Sequence, residues 1–346
     1  MGGSMVAGYP HRIGGHCGSG ALRDLLEWAG LSYADEPMGE GAVFGLGGSL
    51  SFSYLRGPGL GTPFYLVGRG PSLTEQFSAN LGIAEEMRCT DDPVLGWEWV
   101  RDELDAGRPV LCWAEMAELP YLRVKMRMSR HDIVVIGYDD DAGTVVVVDN
   151  DRAESQTIGR DDLARARSAV GFPMPTRHTC FRLGFPDALP DLRMAVARAC
   201  AEAVHGMSDP VPSMGPTAAV GAAGVAAFVA DLDLWAEQFP GAALDRALFS
   251  LQVFVEKAGT GGGLFRRLQA DFLADVGGWL GDPVVLEAAQ VYRRLAETWS
   301  QTAAAAVGPA PAVDRLAGVR RTAAALPALE CEGVDRLAAL AQRLAP

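Results

Sequence analysis

Cysteine is sparse in this chain: six residues in 346, at positions 17, 89, 112, 180, 200 and 331. That is far below the density of a disulfide-stapled secreted scaffold. The cysteines form no C-x-x-C pair, and the chain has no H-E-x-x-H or H-x-x-x-H, so no metal site is expected. Positive charge is also in deficit. Thirty lysines and arginines face 43 aspartates and glutamates, for a net charge of −13, the reverse of the balance in a free-standing nucleic-acid binder. Long apolar runs are missing. The longest, 218–230, covers 13 residues and stops at Asp231, short of the roughly 20 that span a bilayer. The opening MGGSMVAGYPHRIGGHCG has no basic segment leading into an apolar one, so no export signal is read there. These absences lead to the expectation of a cytoplasmic protein with neither nucleic acid nor membrane as partner.

What is present is ample core material, 49% hydrophobic against 21% charged. At roughly 100–200 residues per domain, this length suggests two domains. The texture changes near residue 184. Glycine-rich loops and β-type runs precede it, and alanine-, leucine- and arginine-rich helical patterns follow. The join, LGFPDALP at 183–190, has the punctuation of a boundary, and the expected domains are 1–184 and 185–346. In the first, apolar spacing predicts helices over 18–30 and 97–106, with a loop-rich stretch between them that contains VFGLGG at 43–48. Three β-type runs follow, at 109–114, 133–138 and 144–149. The last two flank Asp139-Asp-Asp-Ala-Gly143, the polar five-residue connection of a hairpin. The second domain reads as helices over 187–206, 216–238, 242–258, 264–280, 283–306, 312–325 and 330–344. The fold class expected is α+β followed by an all-helical domain.

Cys17 stands in His16-Cys17-Gly18-Ser19-Gly20, at the start of the first helix. Unpaired amides and the helix dipole favour negative charge there, which promotes thiolate formation, and the glycines admit a substrate to the backbone. Of the five histidines, His131 opens a strand, where a sheet holds it rigidly; His16 adjoins Cys17, and neighbouring side chains diverge. Asp149 ends the second hairpin strand, 18 residues after His131, so the hairpin returns it beside that histidine. Asn150 and Asp151 are the alternatives if the register slips, because a one-residue slip reverses the face. Cys112 and Cys200 fall inside regular elements and read as packing.

Cysteine at a helix start, followed by histidine and aspartate on antiparallel strands, resembles the papain-like cysteine hydrolases. Among these it resembles especially the bacteriocin-processing peptidases of ABC exporters, through His131-Asp-Ile-Val-Val-Ile-Gly-Tyr-Asp-Asp140. Those peptidases carry an oxyanion-hole glutamine before the cysteine, whereas residues 11–16 here are His-Arg-Ile-Gly-Gly-His. A wider resemblance runs through His16-Cys17, VFGLGG at 43–48, Gly107-Arg-Pro-Val110, Leu119-Pro-Tyr121 and 131–140, and continues in Gly259-Thr-Gly-Gly-Gly-Leu-Phe-Arg266. Together these segments resemble the butirosin biosynthesis protein H family and the helical domain of unknown function that follows it. The resemblance implies transfer of an acyl group from a carrier-protein or pantetheine thioester to an amine in antibiotic biosynthesis. Cys17 would be the nucleophile, His131 the base and Asp149 its orienter, with no cofactor beyond the pantetheine a partner brings. A peptidase or amidase, an intramolecular cyclase, and a non-catalytic scaffold are the alternatives.

Two further segments have candidate binding roles. The glycine turn at 259–266 is a helix–helix connection on the plainer view. On the functional view the amides of Gly261 and Gly262, with Arg266, contact an anionic or carbonyl group of the substrate. Arg123, Lys125, Arg127 and Arg130 make a basic stretch before His131 in an acidic chain. Arg127 and Arg130 are the candidates for receiving a pantetheine phosphate or an acidic carrier, against the plainer view of a solvated edge.

Overall fold

Asp139 builds the hairpin turn: its Oδ1 accepts from the amides of Asp141 and Ala142 at 2.9 Å each, and Gly143 takes the left-handed φ of +64° that glycine tolerates best. The sheet around this turn belongs to one of two units into which the chain folds. The computed structural model describes residues 2–57, 60–125, 127–208 and 217–345. The first unit comprises Met1–Met38 and Gly82–Leu189, the second Gly39–Leu81 and Pro190–Pro346. A single division at 184/185 therefore does not describe the units, because 39–81 packs with the helical part. The architecture is α+β followed by helices.

The chain begins with strand β1 (Gly3–Met5) and helix α1 (Cys17–Trp28). It then supplies α2 (Glu40–Leu46), β2 (Leu50–Leu55), β3 (Tyr65–Arg69) and α3 (Leu73–Leu81) to the second unit. It returns to the first unit with β4 (Ala84–Arg88), α4 (Pro93–Asp105), β5 (Val110–Ala114), β6 (His131–Asp139), β7 (Thr144–Val148), β8 (Gln156–Gly159), α5 (Arg160–Arg167) and β9 (Cys180–Gly184). These strands form an antiparallel sheet in the order β4-β9-β5-β6-β7-β8. β1 pairs with residues 137–139 of β6, beyond the stretch that β5 covers. β6 is buried from His131 to Tyr138, the mark of a central strand. α4 starts where Asp92 caps the amides of Val94 and Leu95 and Pro93 fills the first turn.

The remaining elements belong to the second unit: α6 (Leu192–Ser208), β10 (Thr217–Val220), α7 (Gly221–Asp231), α8 (Trp235–Gln238), α9 (Ala242–Glu256), α10 (Arg266–Leu280), α11 (Pro283–Ala305), α12 (Ala312–Ala323) and α13 (Leu326–Leu344). This unit is not all-helical, because β10, β2 and β3 form a small antiparallel sheet. The helix expected over 216–238 accordingly opens as a strand and breaks after Asp231. The expected break at Pro210 and Pro212 lies outside the described residues. The supposed loop at 43–48 is largely helix α2. Its glycines are needed for packing: a Cβ at Gly45 would lie 1.9 Å from Phe272 Cγ, and one at Gly41 2.5 Å from Asp271 Cβ. Close approach of α2 to α10, and not chain flexibility, selects glycine there. The core of this unit is aromatic, with Phe52 and Phe228 each stacked on Trp299. Among the described residues, no helix is long and apolar enough to cross a membrane.

Candidate active site

α1 is capped by His16, whose Nδ1 accepts from the Ser19 amide at 3.1 Å. That cap fixes Cys17 as the first helical residue, half-buried, with its thiol facing the head of β6. His131, the first residue of β6, is buried. Its Nε2 lies 2.6 Å from Asp149 Oδ2. With Nε2 committed to Asp149, the ring nitrogen left to meet the Cys17 thiol, which also raises the His131 pKa, is Nδ1.

A bulge decides which residue meets His131. Near the turn Asp139 pairs with Thr144 and Gly137 with Val146, whereas beyond it Val135 pairs with Val147 and Val134 with Val148. Ile136 is the extra residue, and its carbonyl accepts from the Val6 amide at 2.8 Å. One further step in the shifted register puts Asp149 opposite Ile133, on the face that Ile133 shares with His131. Without the bulge the turn's register would carry Asn150 there instead. Gly137 is required because a Cβ would lie 2.8 Å from Ser4 O and 2.7 Å from Met5 Sδ of the adjoining β1.

Asn150 does other work. Its Nδ2 donates to Gly14 O, and its carbonyl accepts from the Gly14 amide, both at 3.0 Å. The loop before Cys17 is thus tied to the strand end that carries Asp149. Gly20 allows this approach, since a Cβ there would be 3.2 Å from Asn150 Cβ. His11 makes a second tie, bonding Asp24 Oδ2 at 2.8 Å and Arg152 O at 2.7 Å. Both partners are acceptors, so both ring nitrogens carry protons. The hydrogen bond to Asp24 accordingly raises the His11 pKa.

Asp149 is held on every side. Tyr121 Oη donates to its Oδ2 at 2.9 Å and the Asp151 amide to its Oδ1 at 3.1 Å. Burial favours the neutral acid, but the charge and hydrogen bond of His131, with these two donors, hold its pKa below the usual carboxylate range. For His131 burial opposes the charged ring. The Asp149 carboxylate, aided by Cys17, outweighs it and lifts the pKa well above the ordinary histidine value. The charged form of the ring is therefore favoured here. Two residues of this site went unassigned in the sequence: Tyr121, which buttresses Asp149, and Asp132, whose Oδ2 accepts from Cys17 Sγ at 3.7 Å. The only signal for Asp132 is its adjacency to His131.

The remaining candidates lie elsewhere. Arg266 is fully buried in the second unit, paired with Glu330 at 2.8 Å and donating to the carbonyls of Ser51, Gly68 and Leu264. A substrate contact by this guanidinium is thereby replaced by a structural role. The glycine turn is a helix–helix connection: Gly261 and Gly262 have φ of +63° and +88°, and the Gly262 amide donates to Thr260 Oγ1. Arg127 is exposed and pairs with Glu118 at 3.6 Å, while Arg130 lies over the Trp113 ring, 4.2 Å from its centroid. Among the described residues, no group of three or more His, Cys, Asp and Glu side chains is placed to hold a metal ion.

An α+β domain with cysteine heading a helix, histidine opening one strand and aspartate directly following the adjacent antiparallel strand is of the papain-like class. The family model described as "Butirosin biosynthesis protein H, N-terminal" matches residues 16–150, from the residue before Cys17 to the residue after Asp149. A second, "Domain of unknown function (DUF4872)", matches residues 161–337, more than half of the chain. The chain belongs to the butirosin biosynthesis protein H-like family, in which these two domains follow one another. None of the curated proteins compared with the chain matches it.

Proposed function

We propose that the protein is a cysteine-dependent acyltransferase of natural-product biosynthesis. It would move an acyl group from a carrier-protein or pantetheine thioester, through an acyl-enzyme on Cys17, to an amine. The observation that carries this reading is the buried His131 ring bonded to Asp149 at 2.6 Å, with Cys17 heading α1 beside the start of the same strand, in a chain matched by a family model named for butirosin biosynthesis. His131 takes the thiol proton as Cys17 sulfur attacks the thioester carbonyl, and returns it to the departing pantetheine sulfur. Asp149 keeps the ring oriented and supports the imidazolium. The amides of Cys17 and Gly18 head α1, where no carbonyl within the helix precedes them. They are the donors we assign to the oxyanion, in place of a glutamine.

Incubation with a simple acyl N-acetylcysteamine thioester tests this reading by intact-protein mass spectrometry. The expected result is a single acyl adduct mapped to Cys17, discharged as an amide when an amine is added. Discharge only to free acid would make the protein a hydrolase, and no adduct would remove covalent catalysis.

The donor's carrier is assigned to the basic stretch before His131. Arg127 is the better probe of docking, since its side chain is 63% exposed, whereas Arg130 is packed on Trp113. Arg127→Glu is expected to slow acylation by a carrier-bound donor on the order of 10-fold, while sparing the small thioester. Stopped-flow acylation with each donor at two salt concentrations checks this, and equal effects on both donors would remove the docking role.

A further inference from the structure

The loop that leads into Cys17 is held to the strand end carrying Asp149 through a histidine ring with an acceptor at each nitrogen. His11 Nδ1 lies 2.8 Å from Asp24 Oδ2 on α1, and Nε2 lies 2.7 Å from Arg152 O, shortly after Asp149. A carboxylate and a backbone carbonyl only accept, so both contacts need a ring proton, and only the cationic ring has two. The side chain is 9% exposed, so water poorly replaces a partner lost there. On the α1 side, Arg23 donates to Asp24 Oδ1 at 2.8 Å and to the carbonyls of Arg12 and Ile13 at 2.5 and 3.2 Å. Arg12 pairs with Glu27 at 2.8 Å. On the strand side, Arg152 donates to Tyr121 O at 2.6 Å and pairs with Asp151, and Tyr121 holds Asp149. With the buried Tyr9 hydroxyl, these are the charged and titratable groups around His11 and Asp24 among the described residues.

We infer that His11 is a positioning residue that works as a protonation-dependent latch. As a cation it clamps the loop before Cys17 against the strand end that carries Asp149, and on losing a proton it releases that strand end. Its catalytic consequence rests on the acyl-enzyme reading. The neutral ring keeps its one proton for the Asp24 carboxylate, the stronger acceptor, and presents a bare nitrogen to Arg152 O. An attraction becomes a repulsion between two lone pairs, and the joint is left to the bonds between Gly14 and Asn150. Cys17 follows this loop directly, and His131 is set by Asp149. A looser joint therefore spreads the positions of sulfur and imidazole and slows attack. The hydrogen bond to Asp24 outweighs burial and lifts the His11 pKa above its ordinary value. What the clamp contributes is thus fully present below the ordinary histidine value and is lost as pH rises through the lifted one. The latch is shut in acid and opens towards alkaline pH, opposite to the direction in which a thiol gains nucleophilicity.

The latch is read first on the full chain without an acyl donor. Side-chain nitrogen NMR follows the two ring nitrogens of His11 from about pH 6 to about pH 9. Over the same range, hydrogen exchange follows the Gly14 amide, which donates to Asn150 O. The expected result is a doubly protonated ring at pH 7. The Gly14 protection factor, which corrects for the intrinsic pH dependence of exchange, should fall by about 10-fold or more as that ring loses its proton, the loss for one charge-assisted partner. In His11→Gln, whose carboxamide does not titrate, protection is expected to be low at every pH; the wild-type readings decide whether or not this variant folds. Acylation of Cys17 by the N-acetylcysteamine thioester is then timed across the range. Wild type is expected to lose about 10-fold through the His11 midpoint, a limb that His11→Gln lacks. A neutral ring at pH 7, or one that deprotonates with Gly14 protection unchanged, overturns the latch and leaves the acyl-enzyme reading standing. A latch that opens with no such limb in acylation overturns the positioning role. Absence of any wild-type adduct at pH 7 overturns the acyl-enzyme reading and the positioning role with it, while the donor-free measurements still judge the latch.

Discussion

Replacing Cys17 by alanine is expected to lower acyl transfer by about four orders of magnitude or more, the scale on which removal of a covalent nucleophile acts, with the fold intact. The side chain is half-buried at a helix start, so losing its sulfur opens no large core cavity. Cys112, Cys180 and Cys200 differ in kind: all three are buried. Burial pushes the Cys112 thiol up, and those of Cys180 and Cys200 up to about 12, so none supplies thiolate near neutral pH. Cys200→Ala should cost on the order of 1 kcal/mol of stability and leave transfer in place. Alkylation by iodoacetamide at pH 7 is expected at Cys17 and at the exposed Cys89 and Cys331, and not at the three buried thiols. Peptide mass spectrometry locates the labels, and activity with melting temperature completes the comparison. Full transfer by Cys17→Ala would end the nucleophile assignment.

The elements that carry this site were legible because they are locally encoded. Glycines and a capping residue announce the start of α1, and Asp139 and Gly143 announce the hairpin. Counting back from that turn narrows the partner of His131 to residues 149–151. It does not choose among them, because the choice lies with the bulge at Ile136, which depends on β1 meeting β6 from more than a hundred residues away. The same kind of distance hid the excursion of 39–81 into the second unit. α2 looks like loop because its glycines are selected by contact with Phe272 and Asp271, and β2 finds a partner in β10 only in three dimensions. Asp132 was hidden for another reason. Simple alternation turns a residue next to His131 away from that residue's face, and only the position of Cys17 at the end of the strand brings the carboxylate to the sulfur.

Arg266 shows how a charged residue beside a glycine-rich turn is misassigned from sequence, and its variants are expected to have the largest effect on stability. Its partner Glu330 is 64 positions away. Both are fully buried, and Glu330 also accepts from Trp299 Nε1 at 2.9 Å. The Arg266 head group in turn holds the carbonyls of Ser51 and Gly68, joining the 39–81 segment to the helices of its own unit. Removing one member of such a pair leaves the other charge buried and uncompensated, at a cost of about 3–5 kcal/mol. Glu330→Leu and Arg266→Met should therefore each lower the melting temperature by roughly 6–20 °C, taking 2–4 °C per kcal/mol for a unit of this size. The double variant Arg266→Met with Glu330→Leu removes both charges and fills the space, so its loss should be smaller than the sum of the two single losses. Thermal unfolding of the four proteins followed by circular dichroism measures this coupling. Strictly additive losses would mean that the two side chains act independently, and that the network is not what holds 39–81 in the second unit.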